Sequence, residues 1–290
     1  MKLDYIAPTS MREALARLQE AEGKAVLAAG GTDLIPALRQ GDRDPALVID
    51  LGRLALSDMR LVDGMICLGS GVTHTRLIES PLVQQHLPAL AAACREIGGP
   101  PVRNRGTLGG NLANASPAAD TAPPLLTYDA ELALVSPTGT RCVALKDFFL
   151  GPRRTVLAPG ELILEIRVPL PAPNSAASFI KLGKRSAMAI AVVSAAARLV
   201  AGEDGTITAA RIALGSVAPT PIRAYAAEKL LEGRALRPED IQAAAALARQ
   251  SVQPITDVRA SAEYRSRMVE VLTRRALTAA WDVLHRRNLK

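Results

Sequence analysis

Two glycine-rich turns constrain this chain more than any other feature of its sequence. The first is Ala28-Ala29-Gly30-Gly31-Thr32-Asp33, and the second is Gly106-Thr107-Leu108-Gly109-Gly110-Asn111. Glycine lets several backbone N–H groups converge on one anion because no Cβ blocks the approach. A single turn of this kind also arises for steric reasons alone. Two of them, each edged by Thr and by Asn or Asp, predict a pair of amide cradles for a ligand that carries two phosphates.

Familiar phosphate-binding motifs do not account for these turns. A P-loop needs Gly, four residues and then Gly-Lys-Ser/Thr, and the sequence contains no such run. The dinucleotide motif G-x-G-x-x-G begins at Gly69-Ser70-Gly71, but His74 stands where its third glycine belongs. We therefore expect a diphosphate site on a scaffold other than a Rossmann fold.

The size and composition are typical of a globular chain with two domains. The chain has 290 residues, of which 49% are hydrophobic and 22% charged. Its longest apolar run, 187–197, is too short to cross a bilayer, and its N-terminus lacks the apolar stretch of a signal peptide. We expect a cytoplasmic protein without a membrane span.

Cysteine and histidine are scarce and scattered. The 3 cysteines are Cys67, Cys94 and Cys142, a spacing that fits neither a disulfide framework nor a zinc or iron–sulphur site. The 3 histidines are also far apart in the sequence. The sequence therefore predicts no protein-bound metal and no nucleophilic catalytic residue.

The net charge of +7 raises nucleic acid as a partner, but the pattern does not support it. Basic residues are spread along the chain, and the few aromatic residues do not alternate with them as base-stacking platforms would. We expect no nucleic acid. The densest basic cluster lies in the last predicted helix and is interpreted either as a solvated face or as a docking surface for an acidic protein; it comprises Arg265, Arg267, Arg274, Arg275, Arg286 and Arg287.

Local patterns predict most of the helices and strands. Ser10 followed by Glu13 is a capping box, and the apolar residues after it repeat at helical spacing, which predicts a helix over 10–22. Asp63-Gly64 between two apolar runs predicts a type I′ hairpin. Further strands are predicted over 24–29, 47–50, 60–62, 65–68, 131–135, 140–145, 161–169, 177–182, 191–200 and 207–216, and further helices over 34–39, 88–97, 224–231, 238–250 and 261–287.

Two segments interrupt these regular elements. Pro100 and Pro101 are expected to stop the preceding helix, and 102–120 shows no periodicity, which predicts a long ordered loop around a ligand. The proline-rich stretch 169–174 reads as a linker, so we place a domain boundary near 172–176. Strands followed by helices beyond it indicate an α+β fold.

Four stretches of the chain form a recognisable set. They are Leu27-Ala28-Ala29-Gly30-Gly31-Thr32-Asp33-Leu34, then Thr107-Leu108-Gly109-Gly110-Asn111 with Ala115-Ser116-Pro117-Ala118-Ala119-Asp120, then Leu162-Ile163-Leu164-Glu165-Ile166-Arg167-Val168-Pro169, and Phe179-Ile180-Lys181-Leu182-Gly183-Lys184-Arg185. Together they resemble the FAD-binding subunit of the xanthine dehydrogenase and carbon monoxide dehydrogenase family of molybdenum hydroxylases. The second stretch is the most specific. The resemblance runs essentially from end to end of the chain.

This resemblance implies an FAD-binding domain over 1–173, in two subdomains of about 1–55 and 56–173, and a C-terminal domain of antiparallel sheet and helices over 176–290. It implies FAD as cofactor and no catalytic protein residue, since the isoalloxazine carries the redox chemistry. The implied FAD contacts are Leu27, Ala28, Ala29, Gly30, Gly31, Thr32, Asp33, Leu34, Ile97, Thr107, Leu108, Gly109, Gly110, Asn111, Asp120, Ile163 and Lys181. Considered without the motif, Asp33 and Asp120 also read as helix N-caps, Lys181 as a solvated strand residue, and both isoleucines as core.

The family resemblance also implies partners. They are a molybdopterin-binding large subunit and a small subunit with 2Fe-2S clusters, assembled as a dimer of heterotrimers, with electrons passing through FAD to an unknown acceptor. The chain departs from relatives that insert a cysteine-bearing loop for another cluster, and Ala189 stands where many relatives have an acidic residue. Two other interpretations stay open: a self-contained FAD-dependent oxidase or reductase, and an assembly protein that has lost its flavin.

Overall fold

The computed structural model describes residues 3–288, with side chains as far as Arg286. The outermost limits of the predicted domains, residues 1 and 290, therefore lie outside the described residues, as does the side chain of Arg287. Between residues 3 and 288, no helix is both long enough and apolar enough to cross a membrane.

A small parallel sheet with two helices opens the chain. Its elements are β1 (Asp4–Ile6), α1 (Met11–Glu20), β2 (Ala25–Ala28), α2 (Leu34–Gln40) and β3 (Leu47–Asp50). Both strand pairs are parallel, in the order β1-β3-β2, so β2 is an edge strand. As predicted, the Ser10 hydroxyl accepts the N–H of Glu13, although the Glu13 carboxylate accepts the N–H of Thr9 rather than that of Ser10. Helix α1 ends before its predicted limit because Glu22 and Gly23 have φ of 47° and 82°.

Five antiparallel strands form the second sheet, and a two-stranded hairpin precedes the last of them. In chain order the strands are β4 (Met59–Val62), β5 (Met65–Gly69), β6 (Glu131–Ser136), β7 (Gly139–Ala144), the hairpin pair β8 (Phe149–Gly151) and β9 (Arg154–Thr155), and β10 (Leu162–Pro169). The sheet order is β4-β5-β10-β6-β7. Asp63 and Gly64 have φ of 50° and 73°, which confirms the predicted type I′ turn.

Six short helices lie between β5 and β6. They are α3 (His74–Glu79), α4 (Pro81–His86), α5 (Pro88–Arg95), α6 (Pro100–Arg105), α7 (Leu108–Ala113) and α8 (Ala122–Thr127). The predicted loop over 102–120 was therefore wrong, because α6 and α7 occupy much of it. Helices of six residues make fewer than two turns, so they leave no periodic signal. Pro100 and Pro101 begin α6 instead of only ending α5, since proline suits the first turn of a helix.

The C-terminal part is an antiparallel sheet covered by helices. Its elements are β11 (Ser175–Leu182), β12 (Val193–Ala201), β13 (Ile207–Gly215), β14 (Ile222–Arg223), α9 (Tyr225–Leu231), α10 (Pro238–Gln250) and α11 (Ala262–Asn288), with the strands in sequential order in the sheet. Helix α11 packs on β11 and β12, whereas α5 contacts β11 and α8 contacts β13. Ala213 of β13 is buried in the core of the preceding five-stranded sheet, so the two parts share packing.

The basic cluster of the last helix is not one surface. Arg265 is fully buried, and its guanidinium donates to the Val192 and Ser216 carbonyls and to the Asp257 carboxylate. Arg265 therefore belongs neither to a solvated face nor to a docking surface, which corrects that part of the prediction. Arg274 and Arg275 are exposed.

Asp129, the residue after the C-cap of α8, joins the two parts of the chain electrostatically. Its carboxylate lies 3.1 Å from the guanidinium groups of Arg198 and Arg211 and 2.6 Å from that of Arg223. The side chain of Arg198 is only 12% exposed and has no other ion pair among the described residues, so removal of the carboxylate leaves a nearly buried positive charge without its counterion. Arg223 keeps a second partner, Glu228, at 2.6 Å.

We expect Asp129→Asn to lower the free energy of unfolding by about 2 kcal/mol, measured by urea denaturation. Asparagine tolerates the positive φ of 54° at this position, so the change isolates the charge. Asp63→Asn is the matched control, because Asp63 also has positive φ but no ion pair among the described residues, and we expect a change within about 0.5 kcal/mol. Equal losses in the two variants would contradict the electrostatic explanation.

Candidate functional site

The first glycine loop connects the edge strand β2 to helix α2. Gly31 has φ of 77°, a conformation that strains any residue with a side chain. Among the described residues, no partner accepts a hydrogen bond from the backbone N–H groups of Gly30, Gly31, Thr32 or Asp33. Four consecutive free donors around a left-handed glycine are the elements of an anion-binding nest. Asp33 occupies the N-cap position of α2, as its interpretation as an N-cap predicted, but its side chain makes no capping hydrogen bond.

The first loop lies directly against the start of the second. A Cβ on Gly30 would overlap the carbonyl oxygen of Arg105 and reach within 3.0 Å of the Gly106 Cα. Only glycine allows the two backbones to approach this closely. Gly30 and Arg105 are 75 residues apart in the sequence, so two distant glycine-rich turns meet in one place and can contact a single ligand.

The second loop differs from the prediction because its amides are already used. The N–H groups of Leu108 and Gly109 donate to the Val72 and Ser70 carbonyls at 2.9 Å and 2.8 Å. The N–H of Gly110 donates to the Thr107 hydroxyl, which caps α7. The expectation of two amide cradles is thus corrected: the first loop has the free amides, and of the two adjacent glycines in the second only Gly110 is partly exposed, since Gly109 is buried.

Two further features keep the second loop in position. A Cβ on Gly109 would lie 2.5 Å from the Ser70 Cβ, so this glycine serves the packing of α7 on the segment after β5. The Asn111 side-chain oxygen accepts a hydrogen bond from the Thr121 hydroxyl at 2.6 Å, which leaves the Asn111 amide group as a donor on the loop.

Buried His74 is hydrogen-bonded to the start of the second glycine loop. Its backbone N–H donates to the Gly106 carbonyl at 3.0 Å, and its imidazole lies 3.8 Å from the Cys94 sulfur. Burial, with a smaller effect of the nearby Arg103 charge, lowers the pKa of His74 to about 4, so the ring is neutral at pH 7. His74 thus has a packing role.

Asp120 and Lys181 form a buried ion pair beside the loops. The Lys181 Nζ lies 2.6 Å from the Asp120 Oδ2 and also donates to the Glu96 carbonyl at 2.8 Å. Their side chains are 8% and 3% exposed, which rules out a solvated Lys181. The N-cap of α8 is Thr121, so Asp120 is not a cap either.

One oxygen of this pair has no partner. Asp120 Oδ1 is buried and forms no hydrogen bond with the described residues. Burial raises the pKa of the Asp120 carboxyl to about 6, although the Lys181 ammonium opposes this shift. A buried carboxylate oxygen without a donor is costly, and beside the glycine loops it offers an acceptor to a ligand donor.

The apolar residues of the predicted site lie in different environments. Leu27 and Leu34 flank the first loop and are partly buried, and Ile97 is partly buried after α5. Ile163 is 5% exposed and belongs to the core of the five-stranded sheet, next to a register shift in β10. Its interpretation as core packing agrees with this position, and its contact with a ligand stays a prediction.

A cavity of about 330 Å³ lies next to the ion pair, lined by Glu96, Lys181 and 182–189. The two ends of the loop at 183–189 are in contact, because a Cβ on Gly183 would lie 2.5 Å from that of Ala189. Within the loop, the Arg185 guanidinium donates to the Met188 carbonyl. Residues 182–185 belong to the fourth stretch that resembles the family, and Ala189 was also singled out, but sequence reasoning missed the lining role of Glu96 and of 186–187. No pattern marks Glu96, since it contributes a backbone carbonyl to Lys181.

Comparisons with known proteins agree with this geometry. Residues 1–171 match the family described as FAD binding domain in molybdopterin dehydrogenase, and residues 178–280 match the CO dehydrogenase flavoprotein C-terminal domain. The chain belongs to the FAD-binding subunits of the molybdenum hydroxylases. Its cofactor is FAD, its class is oxidoreductase, and the predicted α+β fold is confirmed.

Relatives match over nearly the whole chain. The carbon monoxide dehydrogenase medium chain of Hydrogenophaga pseudoflava is 36% identical over 97% of both chains, and a putative xanthine dehydrogenase FAD-binding subunit of Escherichia coli K12 is 36% identical over 89% of both. Among solved structures, carbon monoxide dehydrogenase from H. pseudoflava superposes with a TM-score of 0.94, at 37% identity, over 97% of this chain and 98% of that one. Quinoline 2-oxidoreductase from Pseudomonas putida 86 gives a TM-score of 0.91 at 31% identity over the same shares.

The residues of the site fit FAD. The free amides of the first loop suit a phosphate of its pyrophosphate, and the partly exposed Gly110 leaves the second loop without a side chain at that position. FAD also carries hydroxyl and ring N–H donors, which are what the unpartnered Asp120 Oδ1 requires.

We expect Asp120→Asn and Lys181→Met each to lower the free energy of unfolding by about 3–5 kcal/mol, because each leaves one buried charge unpaired. The double variant removes both charges, so it recovers most of that loss in urea denaturation. Its FAD affinity, measured by flavin fluorescence quenching, stays low because the neutral amide oxygen of asparagine is a weaker acceptor for the ligand than the carboxylate. Recovery of FAD affinity together with stability would show that the pair is structural only.

Proposed function

We propose that this chain is the electron-transfer subunit of a molybdenum-dependent dehydrogenase. It takes electrons from 2Fe-2S clusters of a partner subunit and passes them to an external acceptor. The partners are a molybdopterin-binding large subunit and a 2Fe-2S small subunit, assembled as a dimer of heterotrimers in the cytoplasm. The names of the relatives, including a medium chain and FAD-binding subunits, support a place in a multi-subunit enzyme.

The meeting of the two glycine loops carries this proposal. Gly30 packs on the Arg105–Gly106 backbone, so the free amides of the first loop lie next to the start of the second loop, where one ligand can contact both. The Asp120–Lys181 pair and the adjacent cavity continue the site beyond the loops. An assembly protein that had lost its flavin would not need to keep a buried carboxylate oxygen unsatisfied.

Bound FAD supplies the exchange of electrons between the partner's clusters and the acceptor. The residues of this chain hold the cofactor and set its surroundings. The first loop binds phosphate through neutral dipoles, which fix the cofactor without bringing a charge of their own. Lys181, held by Asp120 and by the Glu96 carbonyl, places a fixed positive charge in a region with little water.

Purification of the chain with its co-expressed partners tests the assignment. We expect a coloured complex that contains flavin, iron and molybdenum, and native mass spectrometry gives its stoichiometry. Candidate substrates of the large subunit, such as carbon monoxide, N-heterocycles and aldehydes, are screened for reduction of a dye acceptor. A preparation without flavin absorbance after denaturation would refute the proposal. Turnover of an alcohol or enol by the isolated chain would favour a self-contained flavin enzyme.

Gly110→Asp separates an electron-transfer role from an assembly role. A Cβ at Gly110 would lie 2.9 Å from the Thr107 hydroxyl, so the side chain that caps α7 must shift in this variant, and any change of residue at this position shares that cost. An acidic residue is otherwise favourable in the first turn of a helix. The added carboxylate repels the pyrophosphate, and we expect more than a tenfold loss of FAD affinity. Complexes that contain the variant should assemble, and substrate should still reduce their clusters, detected by electron paramagnetic resonance, without reducing the acceptor.

Gly110→Ala is the control for steric effects, since it adds a Cβ without a charge. We expect it to keep most of its flavin and the same unfolding temperature as Gly110→Asp. If Gly110→Asp keeps its flavin and changes only complex assembly, that result would favour a role in assembly over a role in electron transfer.

A further inference from the structure

The hairpin of β8 and β9 reaches the second glycine-rich segment through its tip. Arg153, between the two strands, donates its backbone N–H to the Ala115 carbonyl at 3.0 Å. Both residues have left-handed backbones, with φ of 57° at Arg153 and 46° at Ala115. Arginine and alanine rarely adopt this conformation, which persists only where surrounding contacts impose it. The tip is therefore held against the loop that follows α7.

The side chain of Arg153 has no structural partner that would explain this conformation. It is exposed and forms no hydrogen bond or ion pair with the described residues. Asparagine or glycine would occupy the same backbone conformation at lower cost. The backbone at the tip of the hairpin is thus held in place, whereas the Arg153 guanidinium that it carries is free to bind a ligand.

The charge of Arg153 reaches the first glycine loop. Burial raises the pKa of the Asp33 carboxyl, and the nearby Arg153 charge opposes that shift. Arg105, whose backbone touches Gly30, is not among the charges that act on Asp33. Of these two arginines, Arg153 is therefore the one whose positive charge acts on Asp33. Asp33 lies at the edge of the site where the two glycine loops meet, which we call the rim.

The positive charges described so far do not balance the negative charges that a pyrophosphate would bring to the site. A pyrophosphate brings two negative charges, and Asp33 adds another at the same rim. The second loop has no free amides at 108–110, and Lys181 is already paired with Asp120. The free amides of the first loop supply dipoles but no net charge. Arginine is well suited to complete the site because its planar fork matches phosphate oxygens.

We propose that Arg153 binds a pyrophosphate at the rim shared by the two glycine loops, held there by the contact of its backbone with Ala115. The inference rests on the proposed function, since it concerns the same site. The pyrophosphate belongs either to FAD or to a dinucleotide acceptor such as NAD, and the experiment separates these two sources.

The test compares Arg153→Asn with Arg154→Asn in the full chain. Asparagine accepts the left-handed backbone, so the first variant removes the charge without adding strain. Arg154 is exposed in β9, has no ion pair among the described residues and loses the same charge, which makes it a matched control. We expect Arg153→Asn to weaken FAD binding about tenfold in a fluorescence titration, as one charge-assisted hydrogen bond would. Its affinity for riboflavin, which lacks the pyrophosphate, should equal that of the unchanged chain.

The other outcomes are equally definite. An unchanged FAD affinity with a raised KM for NAD in the holoenzyme assigns Arg153 to the pyrophosphate of the acceptor. Equal effects of Arg153→Asn and Arg154→Asn on both quantities overturn the inference while the proposed function stands. If the unchanged chain binds no FAD, the proposed function fails and this inference fails with it.

An Asp33→Asn background tests whether Arg153 serves only as the counterion of Asp33. In that case the loss caused by Arg153→Asn would disappear once Asp33 is neutral. If Arg153 binds phosphate, the same roughly tenfold loss persists in the Asp33→Asn background. Disappearance of the loss overturns the inference.

Discussion

The contact between Gly30 and the Arg105–Gly106 backbone is the constraint on which the rest of the site depends. No side chain fits between the two segments, so the parallel sheet that ends at β2 and the helices that surround α7 have a fixed separation. The Gly106 carbonyl accepts the His74 N–H, and the Gly109 N–H donates to the Ser70 carbonyl. These two hydrogen bonds also fix the second glycine loop against the segment after β5. The ligand site is thus a junction of three backbones rather than a pocket within one element.

The C-terminal part completes this junction through Lys181. A lysine in a strand is ordinarily solvated, but this one crosses to Asp120 and to the Glu96 carbonyl and is almost fully buried. Such a pair contributes little net stability, because desolvation of both charges offsets their attraction. Its separation is nevertheless costly, since each charge would be left unpaired in a region of low dielectric. The pair therefore fixes the position of β11 relative to α5, and with it the cavity between Lys181 and the 182–189 loop.

Sequence patterns predicted the elements whose signals are local. The cap at Ser10 and the Asp63-Gly64 turn each depend on neighbours within a few residues, and both form as expected. The helices α6 and α7 were missed because six residues carry no periodicity. The occupied amides of the second loop were also beyond prediction, since their acceptors Ser70 and Val72 lie nearly forty residues earlier. Glycine content shows where backbones can approach closely, but it does not show whether the N–H groups there face a ligand or another part of the chain.

Backbone strain is concentrated around the same junction. Among the described residues, seven non-glycine residues have positive φ, and four of them border the site: Ala115, Arg153, Met188 and Ser216. Each is held by a hydrogen bond to another segment or side chain. Ala115 accepts from Arg153, Met188 accepts from the Arg185 guanidinium, and the Ser216 N–H donates to the Pro117 carbonyl. Glu22 and Asp63, in contrast, lie in exposed turns where the strain has no such partner. Strained residues that are tied in this way cannot relax independently, so the rim of the site is ordered by the fold before any ligand binds.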